Sequence, residues 1–167
     1  MMANKDDFTP DEWTKVLESI VAAGVAIAAA DPSGWWGTFK EATAGTPVLT
    51  EAKDDPASNE LIRSAIADFG KSDDGSILAM RERFSHGNPA ENVRRSLESL
   101  HEVSAIIDAN APEDAEAFKN WLCRISQNVA EAAVEGSILG LGGVRVSEAE
   151  KATLRDIKKA LGSGPVN

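Results

Sequence analysis

Glu98-Ser99-Leu100-His101 sets a carboxylate and an imidazole three residues apart. On a helix that spacing aims both groups from one face, as in di-iron carboxylate bundles. Such a centre needs two of these pairs and two further glutamates. The only other histidine is His86, and Arg83 stands three residues before it, so the ligand set cannot be assembled. His101 therefore reads as a core-edge histidine beside a surface glutamate. The segment KSDDGS offers Asp73 and Asp74 to calcium. Counted from Asp73, the third, fifth and twelfth loop positions are Gly75, Ile77 and Phe84, where oxygen ligands and a glutamate are required. It reads as a solvated turn.

The stretch from Gly136 to Gly143 is glycine-rich and precedes a helix, but Val144 and Arg145 stand where a phosphate cradle needs Lys and Ser or Thr. Gly136 reads instead as a helix stop, followed by an apolar crossover whose Ile138, Leu139 and Leu141 tuck into the core or a partner. Cys123 has Arg124 beside it but no identifiable histidine base, and reads as a half-buried packing residue. Trp35 and Trp36 are adjacent, so on a helix they point about 100° apart. One of them faces away from the main core, with Phe39 next to Trp35. Tryptophan is enriched at binding hot spots, so Trp35, Trp36 and Phe39 are candidates for a pocket or an interface. No residue qualifies as catalytic, and no cofactor is specified.

These residues must be positioned by helices, and the prolines say where the helices start. Pro10, Pro32, Pro47, Pro56 and Pro89 follow Thr9, Asp31, Thr46, Asp55 and Asn88. Each pair reads as an N-cap followed by proline in the first turn, where its missing N–H costs nothing. Pro112 plays the same part after Ala111. Thr9-Pro10-Asp11-Glu12 is a capping box, with Phe8 and Trp13 placed for a hydrophobic staple. A helix is expected over residues 10–30, apolar all round in its second half and hence central. Further helices are expected at 32–45, after Pro47, at 58–70, 77–84, 89–108, 112–135 and 147–161. The chain is thus expected to be all-α: a single compact bundle of six to seven helices around an alanine-rich first helix. The domain is expected to span residues 8–162, with 1–7 and 163–167 as frayed ends.

The chain has 167 residues, within reach of one domain. Its 17 Lys and Arg against 27 Asp and Glu leave a net charge of −10, the wrong sign for gripping a nucleic-acid backbone. The longest apolar run, residues 20–30, falls short of the roughly 20 residues of a membrane span. One cysteine allows no internal disulfide, and with no signal peptide in view a cytoplasmic location is expected.

The segments FTPDEW, ADPSGWWG and GLGGVRVSEAEKATLRDIKKALG resemble an all-helical family of uncharacterised bacterial proteins. The last segment is also similar to tellurite-resistance TerB-like domains, in the capped start at Ser147 and Glu150 and the terminal helix from Leu154 to Leu161. That resemblance implies metal binding through turn acids and a part in membrane-linked stress responses. Asp31 is the one such acid that carries over. The expected function is a non-enzymatic interaction or scaffolding domain of TerB-like type, with a homodimer or a protein as partner. The alternative is a small-molecule or metal binder with a pocket between the first helix and Trp35 and Trp36.

Overall fold

The computed structural model describes residues 3–30, 59–71, 79, 82–83, 88–136 and 148–162. Among them are five α-helices: α1 (Pro10–Ala30), α2 (Glu60–Lys71), α3 (Pro89–Asn110), α4 (Ala115–Gly136) and α5 (Glu148–Leu161). The molecule is an all-α bundle, with five helices among the described residues rather than six to seven. The helices expected at 32–45 and after Pro47 lie outside the described residues, and only parts of the one expected at 77–84 lie inside.

The first helix begins as its sequence dictates. The Thr9 backbone N–H donates to Glu12 Oε2 at 2.8 Å, and the Glu12 N–H donates to Thr9 Oγ1 at 3.2 Å. The Phe8 and Trp13 rings close the staple at 5.5 Å between centroids. The Glu12 carboxyl is held below its usual range, chiefly by the Thr9 backbone N–H.

Beyond Lys15 the helix is buried on every side. Val16, Ala22, Ala23, Val25, Ala26 and Ile27 have no exposed surface. α1 touches each of the other four helices. The small side chains explain how: alanine and glycine let neighbouring backbones approach on several faces at once. Ser126 of α4 uses that closeness, its Oγ donating to the Ala23 carbonyl at 2.8 Å. By length and composition the whole of α1 is long and apolar enough to cross a membrane, which the shorter run at 20–30 did not suggest. Here 78% of its most apolar window is buried inside the molecule.

The remaining core comes from α2, α3, α4 and α5. Leu61, Leu100, Ile107, Leu122, Ile157 and Leu161 are all fully enclosed. Phe118 and Trp121 meet edge to face at 5.3 Å on α4. Asn59 caps α2, accepting from the Ile62 N–H at 2.9 Å. Asn88 caps α3 through the Glu91 N–H at 3.0 Å, with Pro89 in the first turn.

Two stretches depart from expectation. α4 starts at Ala115, not Pro112, because residues 112–114 form a turn closed by the Asp114 N–H on the Ala111 carbonyl at 3.0 Å. Asp114 is also the anchor for the chain's start, since its Oδ2 accepts the Ala3 N–H at 2.8 Å. Residues 3–7, read from the sequence as part of a frayed end, carry a capped 3-10 turn at Lys5–Asp7, and Ala3 is buried.

Candidate functional site

Asp31, Trp35, Trp36, Phe39, Ile138, Leu139 and Leu141 all lie outside the described residues, as do Asp73, Asp74 and His86. Of the residues weighed for chemistry, Cys123 is half-buried against the core. His101 is exposed, and its Nδ1 lies 3.3 Å from the Ala160 carbonyl oxygen. Among the described residues, no three His, Cys, Asp or Glu side chains gather as a metal would require.

The structure brings His101 and Glu98 together in a different setting. They sit along an open groove of about 570 Å³ between α3 and α5. Ala90, Val93 and Leu97 of α3 and Ala160 of α5 give it an apolar floor. Val93 and Leu97 are only half-buried, whereas Leu100, Val103 and Ile107 on the adjoining face of α3 have no exposed surface. Four charged side chains border the floor: Arg94 and Glu98 from α3, Asp156 and Lys159 from α5. All four are exposed.

Local structure fixes the two walls. The end of α5 is tied to α3 by Ser104 Oγ, which donates to the Leu161 carbonyl at 2.8 Å. His101 reaches the neighbouring Ala160 carbonyl. Carbonyls in the last turn of a helix have no partner within it, so a side chain from α3 supplies what α5 lacks. Gly162 then leaves the helix at φ +68°, its N–H on the Lys159 carbonyl at 3.1 Å. At this end of α3 two of the buried positions are polar. Asn92 and Ser96 are buried, and Ser96 Oγ donates to the Asn92 carbonyl at 2.8 Å.

Sequence reasoning missed the groove for a definable reason. Val93 and Leu97 are the apolar residues of this stretch, yet they are only half-buried, Leu97 at the edge of the core. The buried positions are the preceding ones, Asn92 and Ser96, about 100° away round the helix. Polar residues at core spacing, each followed by an apolar residue, were the available signal.

A second hollow, of about 770 Å³, runs along α2 beside Arg63, Ile66, Ala67 and Gly70. Its described lining comes from that one helix. Neither hollow is lined by a residue of α1.

Several ionic contacts away from the groove join one element to another. Asp68 of α2 accepts the Trp13 indole N–H at 2.9 Å and pairs with Lys5 at 3.0 Å. Lys5 and the indole together hold the Asp68 carboxyl below its usual range, against the opposing effect of burial. Lys15 of α1 pairs with Glu102 of α3, which pushes the lysine above its usual range. Glu18 of α1 is buried and pairs with Arg83. Lys119 of α4 is buried against Asp108 of α3 at 2.6 Å. These charges hold the bundle together. Compared with known proteins, the chain matches no family model, no curated protein and no solved structure.

Proposed function

We propose that the protein is a non-enzymatic helical interaction domain of TerB-like type, working in the cytoplasm, and that the α3/α5 groove is its contact face. The observation that carries this reading is the half-buried apolar floor, Val93 and Leu97 with Ala160, that lies between α3 and α5 among the described residues. Apolar side chains at such a position lose water on docking, and the bordering charges set register. The buried hydroxyls of Ser96, Ser104 and Ser126 are all spent on backbone carbonyls within the bundle, which suits a scaffold. The Ser147 to Glu150 sequence pattern and the terminal helix α5 support the TerB-like assignment.

The test is a photo-crosslinking residue placed at Arg94 in the groove and, as control, at exposed Glu116 on α4. Specific protein adducts from position 94 and none from 116 are expected. No adducts from 94, or the same adducts from both, would overturn the reading.

A further inference from the structure

Charge narrows the kind of partner the groove can take. Of the four side chains bordering it, Arg94 and Lys159 are positive and Glu98 and Asp156 negative. None of the four makes an ion pair among the described residues. The described part of the face is therefore neutral on a chain whose net charge is −10. A strongly basic partner would gain more elsewhere on this surface, and a strongly acidic one would be repelled by the rest of it.

The arrangement of signs goes further. Each helix carries one charge of each sign a single turn apart: Arg94 with Glu98, and Asp156 with Lys159. A two-fold axis running between two α3 helices, level with residue 96 and perpendicular to both, would lay two copies antiparallel. Arg94 of each copy then meets Glu98 of the other. Two-fold interfaces are self-complementary in this way, since each contact occurs twice. Val93 and Leu97 flank that axis and would close over their counterparts. We infer that the α3/α5 groove is a homodimer interface, in which a second copy of this chain lays its own α3 along the groove. This rests on the interaction reading above and names its partner.

The size of the face sets the expected strength. Its lining spans residues 90–101 of α3 and 156–160 of α5, about 18 and 8 Å at 1.5 Å per residue. Side by side at 8–10 Å spacing they present roughly 250 Å² in projection, less than one partner contributes to a standard specific interface. The dimer is accordingly a weak one, with a dissociation constant on the order of 100 µM.

Sedimentation equilibrium over about 1 µM to 1 mM is the test. The unmodified chain should pass from 17.7 kDa to twice that mass with rising concentration. Arg94→Glu and Glu98→Arg, each at an exposed position and each leaving the circular dichroism unchanged, should weaken association about tenfold by setting like charges opposite. The double variant restores the complementary pattern and should restore the association. A monomer at every concentration would overturn the inference. So would a dimer indifferent to both single substitutions, or a double variant no better than either single one. If the chain stays monomeric while position 94 still crosslinks to other proteins, the homodimer falls and the interaction reading stands. If neither occurs, both fall.

Discussion

Asp68 shows how much one side chain can join. It receives the Trp13 indole from α1 and Lys5 from the first turn, while sitting on α2. Removing it by Asp68→Ala strands a largely buried indole N–H and should cost about 1–3 kcal/mol in urea unfolding at neutral pH. Its carboxyl is held low in the folded state, so the folded protein binds that proton less readily than the unfolded chain does. The stabilisation is complete above the ordinary aspartate value of about 3.9 and is lost as pH falls through the lowered folded value. Acid titration of the wild type should therefore show urea-unfolding stability falling in that range. Asp68→Asn should lose part of this dependence while keeping an acceptor for Trp13. Thr9→Ala removes a cap whose geometry is complete and should cost about 1 kcal/mol. Both the cap and the staple were legible from residue type and spacing, because they depend only on neighbours in the chain. Asp68 was not, because its partners are 55 and 63 residues away.

At the scale of elements, legibility followed the source of the information. The bounds of α1 came out as expected because Thr9, Pro10 and Glu12 specify its start locally. α3 began where Asn88 and Pro89 said, yet near its start the buried positions belong to polar residues, Asn92 and Ser96. Burial of Asn92 and Ser96 is a tertiary fact that residue type does not announce, and the Ser96 hydroxyl is satisfied within its own helix by the Asn92 carbonyl. Pro112 misled at α4 for a related reason, since Asp114 is engaged with Ala3 and the preceding residues form a turn. Close packing makes α1 intolerant of volume. Ala26→Leu adds a branched side chain where no surface is exposed, and should destabilise by about 1–3 kcal/mol in thermal or urea unfolding. At the end of α5, Gly162→Ala should cost about 1 kcal/mol through its positive φ alone. The nearest atom to an added Cβ there is Ser104 Oγ at 3.9 Å, which is ordinary contact.

The whole molecule places a helix apolar enough for a membrane at the centre of a strongly acidic chain, and surrounds it with four amphipathic helices. Composition and the placing of prolines made that all-α architecture readable. The candidate contact face was not, because it depends on which half-buried residues two distant helices leave uncovered between them. The central claim is that this face, between α3 and α5, is where a second copy of the chain docks. Amide hydrogen exchange on dilute and concentrated protein tests it most directly. The account predicts that amides of residues 90–101 and 154–160 become more protected as concentration rises, while those of α2 stay as they were. No dependence on concentration, or protection gained on α2 instead, would contradict it.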